Sequence, residues 1–399
     1  MITITSYLHR GVLNDVILRW MYNDARPSDA ELVTRLVNFN SIFVSRYIQQ
    51  FSEWLFHELH QTDLHSKRAA LKGDLKDIIT LNPPCRTARV NELINDYHRH
   101  PERFYRETPF QATLYFVGQD GAERYVGSNR IKRVRRLAEK GSRRIIDRIF
   151  ATIKKGADEL ADDRARRLGI PHQQLLTRPE DMIAEFLRAE TRLLDDLRNR
   201  RHIQNSSDLM INDVAGLKVI IESERHFELM ALLRRSESCD IIEEEPHVGR
   251  YNATNLIVRY RPPKERILQK PLGENLLQLM RAHGLNQEQA HSEFADFVRT
   301  GEDGVYIELI VSNYQEMLES EIGRCMHEDR IIEQRMRQEY RGHLSKNVEY
   351  LMEYLFAFPS STKKDLGELP IKLWTRYLPD YFDEVIKGLF DIPPVQLFD

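Results

Sequence analysis

Four β-branched runs in the centre of the chain constrain its fold more than any other feature. They are LKVIIES (217–223), CDIIEEE (239–245), TNLIVRYR (254–261) and VYIELIVS (305–312), and each has the length and composition of a strand. Helical patterns separate the first run from the second, at 226–235, and the third from the fourth, at 264–300. The pattern predicts a mixed sheet with a helical insertion at 264–300.

The first third of the sequence is predicted to be mostly helical. Glycine (18) and proline (16) are scarce among 399 residues, so long helices are expected. Large apolar side chains recur at spacings of three and four through 32–59, which is typical of the buried face of an amphipathic helix. Strand-forming residues on both sides of Asp120-Gly121, within 110–127, predict a hairpin. We therefore expect a helical N-terminal domain at 1–128, with a β-hairpin near its end.

Composition limits the class of protein. Charged residues make up 30% of the chain and hydrophobic residues 41%, a balance typical of soluble globular proteins. No window approaches the roughly 18 apolar residues of a membrane span, and the start lacks a secretory pattern, so we expect a cytoplasmic protein without membrane contact. Cys85, Cys239 and Cys325 form no CxxC pair, and no P-loop or GxSxG motif occurs.

The segment 129–155 carries a strong local positive charge. It holds eleven lysine or arginine residues and two acidic residues, Glu139 and Asp147, although the whole chain has a net charge of −3. A helical stripe of leucine, isoleucine and phenylalanine runs through it, so the cations belong to a folded element. Two interpretations stay open: a solvated helix face, or a surface that contacts RNA or a polyphosphate.

Two carboxylates lie where phosphoryl chemistry could use them. Asp213 comes just before Ala215-Gly216 at the start of a strand, a position suited to a Mg²⁺ ligand because hard cations take oxygen ligands. Glu308 lies inside the apolar strand VYIELIV, where burial should raise its pKa toward the range of a general base.

Three segments resemble, in order, the core motifs of the RelA/SpoT nucleotidyltransferases. NDVAGLKVII (212–221) is similar to the family's D-I-A-G-I-R-V pattern, GRYNATNLIV (249–258) to G-Y-R-S-x-H, and VYIELIVSN (305–313) to E-I-Q-I-R-T. The likeness covers about 130 residues. The family transfers the β,γ-pyrophosphate of ATP to the 3′-hydroxyl of GDP or GTP, and some members modify tRNA ends.

The resemblance implies roles for individual residues. Asp213 would hold Mg²⁺ and Glu308 would activate the acceptor hydroxyl. Tyr251 would stack on the acceptor base, Asn255 stands in the position of the family's histidine, and Lys218 replaces an arginine near the ATP. The sequence departs from the last motif, because isoleucine and serine replace its glutamine and arginine at 310 and 312.

The ATP-binding signature R-x-K-x-x-x-S has two candidate matches. Counting back about 28 residues from Asp213 places Arg188 at the lysine position and Arg192 at the serine position, with phenylalanine in place of the first arginine. A cleaner match is Arg130-Ile131-Lys132, with Lys140 eight residues after Lys132. This second match requires a long insertion before Asp213, so Arg188, Arg192 and Lys218 are the predicted ATP-binding residues.

The predicted fold class is α+β, a nucleotidyltransferase-like mixed sheet with extensive helical N-terminal and C-terminal regions. The nucleotidyltransferase domain would span 129–345 and a helical extension 346–399. Three functions stay open: a pyrophosphokinase using Mg²⁺, ATP and a guanine nucleotide or tRNA; a degenerate regulatory protein that binds nucleotide or RNA; and a helical interaction protein. Each of these three functions is compatible with a protein that forms homo-oligomers.

Overall fold

The fold mixes helices with one large sheet. A computed structural model describes residues 2–118, 123–201, 209–249, 252–323, 328, 329, 332, 333, 336 and 340–392. It is an α+β structure, 58% helical, which confirms the predicted fold class at that level. Within the described residues no helix is long and apolar enough to cross a membrane.

Nine strands form two sheets in the described part of the chain. The strands are β1 (Ile2–Ile4), β2 (Leu64–Leu71), β3 (Pro109–Val117), β4 (Arg124–Ile131), β5 (Leu209–Ile211), β6 (Ala215–Ile220), β7 (Cys239–His247), β8 (Ala253–Tyr260) and β9 (Val305–Ser312). The main sheet has the order β2-β3-β4-β6-β9-β8-β7, and β1 pairs with β5. Only the β6–β9 pairing within the main sheet is parallel.

Helices surround the sheet. They are α1 (Arg10–Met21), α2 (Asp29–His60), α3 (Lys72–Leu81), α4 (Ala88–Arg99), α5 (Val134–Leu168), α6 (Pro179–Arg198), α7 (His226–Arg235), α8 (Lys264–Leu268), α9 (Glu274–Ala282), α10 (Gln287–Thr300), α11 (Tyr314–Leu318), α12 (His343–Ala357) and α13 (Pro379–Leu389). A π-helical turn, Glu319–Gly323, follows α11 directly. The segment predicted as a helical insertion, 264–300, contains α8, α9 and α10.

Helix α2 covers one face of the main sheet with its aromatic stripe. The ring of Phe51 lies 4.9 Å from that of Tyr260 on β8, and the ring of Phe56 lies 5.0 Å from that of Tyr115 on β3. Gly127 on β4 permits this approach, because a Cβ there would lie 2.5 Å from Phe56. The face under α2 is formed by side chains that are at most 1% exposed: Leu217, Val219, Leu256, Val258, Ile307 and Leu309.

The opposite face of the sheet carries polar side chains. Successive residues of a strand point to opposite faces, so the alternation along β6 and β9 places Gly216, Lys218, Glu308 and Ile310 away from α2. The face of the sheet under α2 therefore belongs to the hydrophobic core, and the opposite face can hold a functional site.

Both domain boundaries predicted from the sequence fall inside secondary-structure elements. Residue 128 falls inside β4, and β4 pairs with β3 on one side and β6 on the other, so a single sheet runs through the predicted boundary. The boundary at 345/346 likewise falls inside α12. Strands β3 and β4 do pair as an antiparallel hairpin, whereas its predicted turn, Asp120-Gly121, lies outside the described residues.

Candidate active site

A cleft of about 800 Å³ opens on the polar face of the sheet. Its floor is formed by β4, β6, β9, β8 and β7, one wall by the first turns of α5, and the other wall by residues of β3, α3 and the π-helical turn. A volume of this size lies within the range of small-molecule sites, which is roughly 300–1,000 Å³.

The strand register places the floor residues in two rows. Arg130 on β4 is paired with Gly216 on β6, which is paired with Glu308 on β9. Lys218, on the next row, is paired with Ser128 on one side and Ile310 on the other. Gly216 adds no side chain to the first row, and a Cβ there would lie 3.8 Å from Glu308 Oε2 and 3.9 Å from Arg130 Cγ. The Arg130 side chain and the Glu308 carboxylate therefore face each other across an open glycine.

Asp213 lies at the edge of the cleft, held by two lysines. The Lys132 ammonium donates to the Asp213 backbone carbonyl at 2.6 Å and lies 2.6 Å from Oδ2, and Lys140 donates to the same Oδ2. Burial alone would raise the pKa of Asp213, but the charges and hydrogen bonds of the two lysines outweigh it and lower the pKa to about 2. Asp213 is therefore fully ionised at neutral pH.

The pKa of Glu308 shifts in the opposite direction to that of Asp213. Burial raises its pKa above the usual value for glutamate, and the negative charge of Asp213 adds to the rise, while Lys132 counteracts it. Within the described residues, no side-chain hydrogen bond reaches its carboxylate. Glu308 is thus a carboxylate of raised basicity that faces the open part of the cleft.

Cations from the basic segment form the wall beside these carboxylates. Six of its eleven lysine and arginine residues line the cleft: Arg130, Lys132, Arg136, Lys140, Arg143 and Arg144. Those on α5 recur at spacings of four, three and one, so they share one helix face. Arg130 is half-buried and forms no ion pair in the described part of the chain, which leaves its guanidinium available to an anion.

Arg188 and Arg192, predicted from the sequence to bind ATP, do not line the cleft. Both lie at exposed positions of α6, which packs along α5 beyond the cleft. The buried face of α6 carries Glu185, which Arg164 of α5 binds at 2.9 Å, and Ala189, whose Cβ would lie 3.2 Å from a Cβ on Gly156. The hydrophobic period of α6 turns both arginines outward, so the structure does not bring them to Asp213.

The other predicted residues divide between the cleft and the part of the chain that is not described. Lys218 and Asn255 line the cleft, where Asn255 Nδ2 lies 3.0 Å from His247 Nε2 and Asn255 Oδ1 is buried without a hydrogen-bond partner among the described residues. Tyr251 lies outside the described residues.

Arg130 and Lys132, the R-x-K segment of the second candidate match, line the cleft together with Lys140. Helices α5 and α6 form the long insertion between Lys132 and Asp213 that this match requires. After α6 the chain comes back beside Lys132, whose backbone N–H donates a hydrogen bond of 2.9 Å to the carbonyl oxygen of Val214. The eight-residue spacing from Lys132 to Lys140 was the signal that pointed to both residues. Lys72 and Glu321, which also line the cleft, belong to no motif that sequence reasoning identified.

The residues at Asp213 fit a Mg²⁺ ion that is bound together with phosphates. Asp213 Oδ1 is buried and has no hydrogen-bond partner among the described residues, so it can serve as an oxygen ligand. The described residues contain no group of three or more His, Cys, Asp or Glu side chains that could hold a metal ion on their own. Mg²⁺ commonly takes one or two carboxylates and completes its shell with water and substrate phosphates, which matches this donor set.

Comparisons of the chain with protein-family models, with curated proteins and with solved structures each found no match.

Proposed function

We propose that this chain is a RelA/SpoT-like pyrophosphokinase, which transfers pyrophosphate from ATP to the 3′-hydroxyl of a guanine nucleotide or a related acceptor. The observation that carries the proposal is the meeting of Asp213, Glu308 and the Arg130-x-Lys132 pair in one cleft. The two carboxylates and the Arg130-x-Lys132 pair come from separate parts of the sequence, and all four residues belong to segments that resemble motifs of that family.

The proposed reaction assigns a task to each group. Glu308 accepts the proton of the acceptor 3′-hydroxyl, whose oxygen attacks the β-phosphorus of ATP. The bond between the α- and β-phosphates breaks, and AMP leaves. Arg130, Lys132 and Lys140 bind and orient the phosphates, because phosphoryl transfer depends mainly on positioning and charge neutralisation. Mg²⁺, when bound at Asp213, would neutralise negative charge on the phosphates.

A regulatory protein that binds nucleotide without transfer is the second candidate. It is favoured by Ile310, which lines the cleft where the family motif has glutamine, and by the two lysines that already neutralise Asp213. Incubation with ATP labelled in the γ-phosphate, Mg²⁺ and a panel of GDP, GTP, adenine nucleotides and tRNA separates the candidates. Transfer yields AMP and a labelled acceptor. Binding of ATP without AMP formation supports the regulatory protein, and no binding of any nucleotide contradicts both.

RNA contact through 129–155 is a separate proposal. It rests on the cations of the segment that do not line the cleft, such as Arg133, Arg135 and Lys155. The side chains of Arg135 and Lys155 are 84% and 75% exposed. If they bind RNA, affinity for tRNA falls steeply with salt, and replacing them reduces that slope.

A further inference from the structure

Exposed apolar side chains are concentrated at helix α6. Twelve large apolar side chains are more than half exposed in the described part of the chain, and four of them lie within 176–187: Leu176, Met182, Ile183 and Leu187. Ile183 and Leu187 lie on the side of α6 that is turned away from α5, because Ala189 and Leu193, at most 6% exposed, occupy its packed side. Clustered apolar side chains at a surface mark an interaction site more often than isolated ones do.

A row of charges runs along one edge of this apolar side of α6. Asp181, Arg188 and Asp195 are spaced by seven residues, which is nearly two helical turns, and Arg192 follows Arg188 by four. All four side chains are exposed. Arg188, Arg192 and Asp195 form no side-chain hydrogen bond or ion pair among the described residues, and Asp181 lies 3.5 Å from Arg164 of α5. Most of this charged edge is therefore available to a partner.

The order of these charges is complementary to the same order read backward. Asp181 and Arg192 lie at equal distances on either side of the midpoint between Phe186 and Leu187. If two copies of α6 pack antiparallel about a two-fold axis at this midpoint, the same edge of each helix meets, and Asp181 of each copy faces Arg192 of the other. The axis also brings the exposed Ile183 and Leu187 of both copies to the centre of the contact.

The charges favour this register over its neighbours. Arg178, which precedes the first turn of α6, and Asp195 lie at equal distances from the same midpoint, so the axis places them beside each other as well. An axis at Arg188 would instead set Arg188 against its own copy and Asp181 against Asp195. Like charges directly opposite each other disfavour a contact, so the sequence of α6 specifies one antiparallel arrangement.

We infer that the outer side of α6 is a homodimer interface, in which two copies of the chain pack this helix antiparallel. Arg188 and Arg192, which the structure turns away from the cleft, thereby belong to a contact between copies. No residue of α6 lines the cleft, so both clefts of the dimer stay open to small molecules. The inference stands apart from the proposed transfer, because no step of it involves a nucleotide.

Analytical ultracentrifugation of the full-length protein tests this interface. We expect wild type to dimerise as its concentration rises, and Leu187→Glu to raise the dissociation constant by roughly tenfold or more, because two carboxylates would then be buried side by side. The melting temperature should not change, since Leu187 is exposed in the single chain. Leu81→Glu is the matched control, because Leu81 is 67% exposed at the end of α3, beside Phe116 of β3, and should dimerise like wild type.

Charge reversal tests the antiparallel register. Asp181→Arg and Arg192→Asp should each weaken the dimer, and a variant that carries both changes should recover most of the wild-type affinity, because each ion pair is rebuilt with its charges exchanged. The recovery is the decisive result, since Asp181→Arg alone also loses the contact with Arg164.

Three results would overturn the inference. Wild type could sediment as a monomer at every concentration tested. Leu187→Glu could dimerise as tightly as Leu81→Glu, which would place the contact elsewhere on the chain. The double variant could be as weak as the single ones, which would show that Asp181 and Arg192 do not meet across a two-fold axis.

Discussion

Asp213 and Glu308 lie in one cleft, but their pKa values move in opposite directions. The pKa of Asp213 falls to about 2 because two lysines bind it, and the pKa of Glu308 rises because burial penalises its charged form. Separation of this kind assigns different tasks to two carboxylates of the same site. Asp213 is suited to remain charged and Glu308 to exchange a proton.

Glu308→Gln should abolish transfer without destabilising the protein. Loss of a general base typically lowers the rate by on the order of 10²–10⁴. The folded-state pKa of Glu308 lies above the unfolded value of 4.5, so its burial costs stability as the pH rises above 4.5, and the cost is complete once the pH exceeds the folded-state pKa. The neutral amide of glutamine removes this cost. The variant should therefore be at least as stable as wild type at pH 8, and at pH 4 it should gain no stability over wild type. Urea unfolding at both pH values measures the difference, and a clear loss of stability at pH 8 would contradict the environment described for Glu308.

Asp213→Asn should be both inactive and less stable. The folded-state pKa of Asp213 lies below its unfolded value of 3.8, so its contribution to stability is present above pH 4 and is lost as the pH falls toward 2. A depression of this size corresponds to about 2 kcal/mol at pH 7. Urea unfolding at a series of pH values should show a loss of that order at neutral pH that narrows in acid. If the difference in unfolding free energy between wild type and Asp213→Asn were the same at every pH, the ion pairs with Lys132 and Lys140 would not be the cause of the lost stability.

At the residue scale, the sequence predicted the positions of Asp213 and Glu308 better than it predicted which cations lie beside them. Asp213 and Glu308 adjoin strands, and local alternation was enough to place them. Arg188 was selected by counting backward, and counting fails when helices as long as α5 and α6 are inserted. Ser28 shows a similar limit: it has the three-residue spacing to Glu31 that is typical of a capping box, yet its side chain forms no cap hydrogen bond. The Asp29 carboxylate instead accepts from the backbone of Arg26 and the indole of Trp20, both at 3.0 Å.

At the scale of elements, α5 is the main determinant of the charge in the cleft. It begins at Val134, two residues after Lys132, so its first turns lie beside β4. One of its faces presents Arg136, Lys140, Arg143 and Arg144 to the cleft. An adjacent face is packed against α12, where a Cβ on Gly141 would lie 2.9 Å from Met352. The sequence predicted a folded basic element here, but which cations face the cleft depends on how α5 packs.

Replacing cations on the two sides of α5 should have different effects. Changing Arg136, Arg143 and Arg144 together to glutamine should weaken ATP binding by more than tenfold, because hydrogen bonds to charged groups contribute roughly 1.5–3 kcal/mol each when engaged. The matched triple change of Arg133, Arg135 and Lys155 should leave ATP affinity unchanged. Titration of both variants with an ATP analogue measures the two affinities. Equal effects would show that α5 acts through its total charge and not through the face that lines the cleft.

At the scale of the whole molecule, a single sheet joins the regions that the sequence suggested were separate domains. Turn signals and composition mark loops, but they do not reveal that β2 and β3 pair onto β4 and thereby extend the central sheet. Lys72 and Phe110 reach the cleft only because of this extension. Pairing between distant strands depends on register and on contacts across the fold, so the motifs alone could not have identified Lys72 or Glu321 as residues of the site.

This continuity predicts that the chain cannot be cut at residue 128 into parts that fold. A fragment of residues 129–399 lacks α2, and the six apolar side chains that α2 covers on β6, β8 and β9 would face water. Burial of a large apolar side chain contributes roughly 1.5–3 kcal/mol, so exposing six removes about as much free energy as a domain's entire stability. The cut would also break the hydrogen bond of 3.0 Å from Asn129 to Ser52 and divide β4. We therefore expect the fragment to show no cooperative thermal transition by circular dichroism and no binding of an ATP analogue, whereas the full chain shows both. A fragment 129–399 that melts cooperatively and binds the analogue would establish a separate nucleotide-binding domain, and the boundary expected from the sequence would then describe the folding unit better than the sheet does.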